Sequence, residues 1–265
     1  MLIIIPKFEA MENQQSAQPE ASSTPKAKSP NSKPELILFP LPIGSESNLW
    51  LISPYYQEEI KKIKVWIAEE ARTLRRFISS LKLGIDIPNL EIFELNEHSK
   101  QKDVEDFLNK FNKKGQVIGL CSEAGMPCIA DPGTLAVRFA QKHGWIVTPI
   151  PGPNSLMLTL AGSGLNGQTF TFHGYPPVKE AEQKTFVPQL VKSASSSHSH
   201  LFIEAPYRSD KFLQFLIRNI PGDFQLCIGQ NLHEPNQRIC TQTLAAWKKE
   251  STPLGKSPCV FIIGK

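Results

Sequence analysis

The chain has no C-x-x-C pair, no H-E-x-x-H, no G-K-[ST] and no long apolar run. Its cysteines, Cys121, Cys128, Cys227, Cys240 and Cys259, stand singly and mainly in apolar runs, where a reduced thiol behaves as a small hydrophobe. That spacing argues against zinc and against a disulfide framework, and it fits a cytoplasmic protein. The missing motifs leave no zincin or phosphate-loop chemistry, and no metal is expected. The apolar stretch 1–5 ends at Pro6, far short of the roughly 20 residues a membrane span needs and unlike a signal peptide. An excess of one charge is also lacking. The net charge of +4 is too small to argue for nucleic acid by itself. Its distribution says more, because Lys61, Lys62, Lys64, Arg72, Arg75, Arg76 and Lys82 face only Glu69 and Glu70 within that stretch.

At 265 residues, the length suggests two domains on a prior of about 150 residues each. Residues 1–35, rich in Gln, Ser, Pro, Ala and Lys beyond the first few, have too little apolar content to offset ordering entropy and read as a disordered tail. From residue 36, short apolar runs alternate with helical patterns. Strands are expected at 36–41, 65–68, 90–95, 117–121, 145–149, 170–173, 200–204, 224–230, 238–241 and 259–263. Helices are expected at 71–83, where Leu74, Phe77, Ile78 and Leu81 share a face opposite Arg72, Arg75 and Arg76, and at 134–143. Alternation of this kind is α/β with mixed sheets. The stiff stretch Pro149-Ile150-Pro151-Gly152-Pro153 divides an N-terminal domain, 36–149, from a C-terminal one, 150–265.

The most informative segment is Ser122-Glu123-Ala124-Gly125-Met126-Pro127-Cys128-Ile129-Ala130-Asp131-Pro132-Gly133, directly after an apolar strand. Small residues at a strand's carboxyl end let backbone groups approach a ligand, so the segment reads as a small-molecule cradle. Asp131 is read either as the N-cap of the next helix or as a ligand contact. Gly162-Ser163-Gly164-Leu165-Asn166-Gly167 matches the dinucleotide fingerprint but in reversed context, since a helix precedes it and a strand follows; it reads as a helix stop and turn. The run 193–200, with His198 and His200, reads as a solvated surface loop. Four further strand-ending turns share the character of the cradle. They are Pro40-Leu41-Pro42-Ile43-Gly44, Pro151-Gly152-Pro153-Asn154-Ser155, Phe172-His173-Gly174-Tyr175-Pro176-Pro177 and Glu204-Ala205-Pro206-Tyr207-Arg208.

In this order the turns resemble the tetrapyrrole-methylase superfamily of S-adenosylmethionine (SAM) methyltransferases, the class III methyltransferases. Within it they are similar to the branch of ribosomal small-subunit RNA methyltransferase I, a cytidine 2′-O-methyltransferase. The carriers are Leu41-Pro42-Ile43-Gly44, Ala68-Glu69-Glu70-Ala71-Arg72, the cradle, the 151–155 turn with Gly162-Ser163-Gly164-Leu165, the 170–177 segment and Ile203 through Arg208. The resemblance covers about 36–265. It implies two α/β lobes with mixed sheets, a SAM site in the cleft between them, a homodimer, RNA of the ribosomal small subunit as partner, and no metal. Carried over, it places Pro42, Ser122, Glu123, Ala124 and Gly125 on the SAM site from the first lobe. Gly152, Pro153, Ser155, His173, Gly174, Tyr175 and Asn231 approach from the hinge and second lobe. Glu70, Arg72, Tyr207 and Arg208 are the catalytic or acceptor-positioning residues it implies, with Arg72, Arg75 and Arg76 on phosphates.

The chain departs from the family pattern at Glu70 for Asp, Ala71 for Thr and Tyr207 for His, and in the segment 44–49. A phenol titrating near 10 is a poor base at neutral pH. The departures gather on the acceptor side, so two alternatives stand beside RNA methylation: methylation of a small, tetrapyrrole-like molecule, and a SAM-binding module without catalysis.

Overall fold

Ten short apolar runs build the molecule, and a computed structural model describes residues 32–44, 52–113, 115–194, 197–250 and 253–265. The tail segment 1–31 and most of the divergent segment 44–49 lie outside the described residues. Strands β1 (Glu35–Leu38), β2 (Val65–Ala68), β3 (Glu91–Glu94), β4 (Val117–Cys121) and β5 (Ile146–Pro149) form one sheet in the order β3-β2-β4-β1-β5. All its pairings are parallel, so the five carboxyl ends share one edge.

The inner strands are continuously apolar because helices cover both faces. On one face, helices α1 (Pro54–Ile60) and α2 (Ala71–Ser80) bury Tyr56, Leu74 and Phe77 against Ile37, Phe39 and Trp66. On the other, α3 (Gln101–Asn109) and α4 (Thr134–Lys142) bury Phe107 and Phe139 against Leu36, Ile118 and Leu120. Gly119 in β4 lies beside Trp66 in β2, and a Cβ there would come within 2.5 Å of the indole. Only glycine admits the ring.

The second sheet contains β6 (Phe170–Phe172), β7 (Ser199–Glu204), β8 (Gln225–Gln230), β9 (Arg238–Thr243) and β10 (Cys259–Gly264), in the order β6-β7-β10-β8-β9. It is mixed, with β6 and β7 parallel and the other pairs antiparallel. Helix α5 (Ser155–Ser163) covers one face through Leu156 and Leu160. The other face carries α6 (Glu180–Ser193), α7 (Ser209–Asn219) and α8 (Leu244–Trp247), closed over Phe202, Phe261 and Trp247. Each expected strand and helix is present. No helix among the described residues is long and apolar enough to cross a membrane.

Three local expectations need correction. Asp131 does not cap α4: the cap position is Gly133, with no side-chain cap bond. The run 193–200 is not simply a surface loop, because Ser193 ends α6 and Ser199 and His200 are buried in β7. His200 tolerates burial because both ring nitrogens have partners, His173 Nε2 at 2.8 Å and Ser193 Oγ at 3.1 Å. Helix α2 stops at Ser80, ahead of the left-handed Lys82 (φ 52°). The reversed fingerprint behaves as read, with Gly164 in the left-handed C-cap of α5 (φ 70°) and β6 following.

Candidate active site

The loops leaving β1, β4 and β5 emerge side by side because these strands are neighbours in a parallel sheet. Leu41 and Gly125 tie two of them together, each N–H donating to the other's carbonyl at 3.0 and 2.9 Å. The buried Tyr56 hydroxyl donates to Pro40 O at 2.9 Å and fixes the first loop from below. Buried Ser122 places its hydroxyl 3.3 Å from Ala124 O and 3.4 Å from Gly125 O, folding the cradle back on itself. Gly125 has φ 71°, and an added Cβ would sit 3.2 Å from Pro153 O, so the β4 and β5 loops touch through a residue without a side chain.

Further along the cradle, Cys128 (φ 68°) and Ala130 (φ 66°) occupy the left-handed region that costs a non-glycine residue roughly 1–2 kcal/mol. Such strain persists only where the surroundings over-determine the backbone, and it gathers at ligand sites.

The second sheet supplies the facing wall. Antiparallel register puts Cys259, the first residue of β10, level with Glu204 at the end of β7 and Gln230 at the end of β8. Two confluent hollows result, of about 280 and 400 Å³, sharing Ile43, Gly44, Ser155, Tyr175, Ile203 and Pro258. The larger falls in the range of roughly 300–1,000 Å³ typical of small-molecule sites. Helix α5 points its amino end here, its first turn capped by Asn154, which accepts from Met157 N at 3.1 Å.

Of the expected SAM-site residues, Ala124, Gly125, Ser155, Tyr175 and Asn231 line the cleft. Asn231 is another left-handed non-glycine residue (φ 48°). Ser122 and Pro153 are buried and do not line the cleft, and Gly152 is exposed outside the lining, where an added Cβ would collide with Pro40. Pro42 is half-buried and does not line the cleft. Glu123 is exposed, its N–H donating to Glu69 at 3.3 Å. Gly174 accepts from Ile203 N at 3.1 Å, while His173 stacks on Phe202 and bonds His200, away from the lining.

Glu70 caps α2, accepting from the N–H groups of Arg72 (2.8 Å) and Thr73 (3.1 Å), and the first of these bonds holds its carboxyl below the usual range. Arg72, Arg75 and Arg76 are exposed on α2, whereas Lys61 and Lys62 of the same basic stretch pair with Glu58 and Glu59 at 2.7 Å. Tyr207 is 81% exposed and does not line the cleft. Arg208 grips buried Glu204 through two nitrogens at 2.6 and 2.8 Å.

Sequence reasoning weighed Asp131 as a ligand contact against a helix cap, and passed over Glu204 as a site residue. Both were visible as acids inside quoted turns. Asp131 lines the cleft, and burial, then the nearby Glu69 carboxylate, pushes it up to about 6. Glu69 is itself raised, chiefly by burial.

Residues 47–247 match the family model of tetrapyrrole (corrin/porphyrin) methylases. The chain is similar to Ribosomal RNA small subunit methyltransferase I of Vibrio cholerae, 27% identical over 237 residues, covering 88% of this chain and 78% of that protein. The enzyme of the same name from Campylobacter fetus is 32% identical over 190 residues, covering 70% and 65%. Among solved structures, the methyltransferase CobJ superposes with a TM-score of 0.55 at 13% identity, covering 88% of this chain and 94% of that one. The cobalt precorrin-4 methyltransferase CbiF gives 0.53 at 13% identity, covering 87% and 94%. These two share the fold. With a parallel first sheet, a mixed second one and a strained loop facing the cleft between them, the chain belongs to the tetrapyrrole methylase family of SAM-dependent methyltransferases.

Proposed function

We propose that this enzyme methylates RNA of the ribosomal small subunit in the cytoplasm, as a homodimer of two α/β lobes divided near residue 150. The similarity to rRNA small subunit methyltransferases across 88% of the chain carries the reading, because the small-molecule methylases share only the fold.

The residues present fit SAM. Ile43, Leu156, Ile203 and Pro258 offer apolar walls to a purine. The backbone of Ala124 and Gly125, the α5 amino end at Ser155 and the side chain of Asn231 offer polar partners to the methionine and ribose portions. SAM supplies an electrophilic methyl group on a sulfonium; the protein's work is to orient the acceptor, exclude water and take a proton. Asp131 is the proton acceptor in this proposal. It faces the cleft, and its carboxyl titrates close enough to neutrality to be both ionised and basic. The bonds from Arg72 and Thr73 make Glu70 a weaker base, and they leave it the role of setting the amino end of α2, from which Arg72 faces solvent toward phosphates.

Calorimetry with SAM, followed by incubation of labelled SAM with small ribosomal subunits, bulk RNA and porphyrinogens, tests the reading. Label in RNA supports it, label in porphyrinogen alone overturns the substrate, and absence of SAM binding overturns the whole. Sedimentation velocity reads the dimer. Asp131→Asn is expected to lower kcat about 100-fold or more while leaving the Kd for SAM within a few-fold. For the unaltered enzyme, kcat/KM should rise tenfold per pH unit below about 6 and level off above it, with that limb absent from the variant.

A further inference from the structure

Across the Glu204–Arg208 ion pair from the cleft lies a second cavity, of about 270 Å³, between the loop at Pro176, Pro177 and Val178 and one face of α7. Glu204 lines both, so the two spaces share a wall. The contributing positions of α7 and its cap, Arg208, Lys211, Phe212, Phe215 and Arg218, recur at helical spacing and form one stripe. At its far end the cavity meets a hollow of about 370 Å³ between α6 and α7 through Gln183, Phe215 and Asn219. Cleft, cavity and hollow together make a trench that an extended polymer fills better than one compact molecule.

The charges in the trench are unequal. Arg208 is neutralised by Glu204, and the adjacent acid, Asp210, is engaged in accepting from Leu254 N at 2.8 Å. Lys211 and Arg218 are exposed and have no carboxylate within ion-pair distance among the described residues. They stand seven residues apart, about 10 Å along the helix axis, with Phe215 between them. Spaced cations interleaved with aromatic and proline surfaces are what a single-stranded nucleic acid needs, its phosphates on the cations and a base on the ring.

We propose that this trench holds the single-stranded RNA flanking the nucleotide being methylated, with Lys211 and Arg218 on phosphates and a base against Phe215 and Pro177. The assignment rests on the RNA reading above and adds to it a second basic surface, distinct from α2.

The double variant Lys211→Ala/Arg218→Ala tests it, with Lys102→Ala/Lys142→Ala as an equal change of charge on α3 and α4. The readouts are binding of small ribosomal subunits at several salt concentrations, methyl transfer, and SAM calorimetry. Loss of two phosphate contacts is expected to lower the slope of log affinity against log salt by about 1.4 and weaken binding at least tenfold near 0.1 M salt. KM for RNA should rise with kcat within twofold, the Kd for SAM should not move, and the control pair should leave all of these unchanged. If the unaltered enzyme methylates RNA and the trench variant keeps its slope and KM, the trench assignment fails while the RNA reading stands. Equal losses from both double variants would also sink it, since diffuse charge would then explain the effect. If the unaltered enzyme neither binds nor methylates RNA, the RNA reading fails first.

Discussion

The two sheets reach the same cleft by different means. In the first, all strands run one way, so their loops share the carboxyl edge, and the three that border the cleft, following β1, β4 and β5, are knit together by the Leu41–Gly125 bonds and by Gly152 on Pro40. In the second, antiparallel neighbours alternate, and the cleft receives the ends of β7 and β8 with the start of β10 between them. A parallel sheet therefore builds its wall from backbone and strained turns. The mixed sheet builds it from side chains, among them Tyr175, Glu204, held by the Arg208 ion pair, and Gln230, whose amide donates to Leu254 O. Substitutions should accordingly harm binding on the first side and stability on the second.

Gly125→Val strikes the backbone wall. A branched residue at φ 71°, with its Cβ 3.2 Å from Pro153 O, must shift two loops, and calorimetry should show SAM affinity lowered by more than 100-fold. Retained affinity would mean that the first wall is not built from backbone. Arg208→Ala strikes the side-chain wall by leaving the Glu204 carboxylate, 3% exposed, without its cation. Urea unfolding should lose about 2–4 kcal/mol, somewhat below a fully buried pair because Arg208 is 26% exposed. A loss under 0.5 kcal/mol would equate the two sides.

Acid separates the sheets more gently. His200 is held down to about 4, first by burial and then by His173, so its contribution is complete above the ordinary 6.5 and is lost as pH falls through that window toward 4. Asp131 is held above its ordinary 3.8, so its folded form gains on protonation as pH falls from about 6 toward 4. Amide exchange across pH 6.5 to 4.5 should show β7 losing protection ahead of β4. Parallel loss in both strands would count against the assignment.

Much of this architecture was legible. Ten strands and the face of α2 follow from apolar runs and 3.6-residue spacing, since a strand buried on both sides and a helix buried on one leave those marks. Strand β7 shows the limit. Ser199 and His200 fall in a Ser- and His-rich run that reads as loop, although His200 also opens the strand expected at 200–204; its burial rests on side-chain partners, His173 and Ser193, that apolar patterning does not show. Asp131 shows another. An acid before Pro-Gly reads equally as a helix cap or a ligand contact, and it is the fold that decides, with α4 starting after Gly133 and Asp131 on the cleft. Of the residues that the family pattern marked, Ala124, Gly125, Ser155, Tyr175 and Asn231 line the cleft, whereas His173 is taken into the packing of the second sheet and Tyr207 stands exposed.

The order β3-β2-β4-β1-β5 also governs how the molecule is born. β1 pairs only with β4 and β5, which begin at Val117 and Ile146, so it emerges long before either partner exists. At roughly 10 residues per second of synthesis, β1 waits on the order of ten seconds as an apolar segment with both backbone edges open. Pairings this distant in sequence are slow to close and prone to wrong partners. Heterologous production at reduced temperature, or with added holdase chaperones, is where that delay becomes a yield of soluble enzyme.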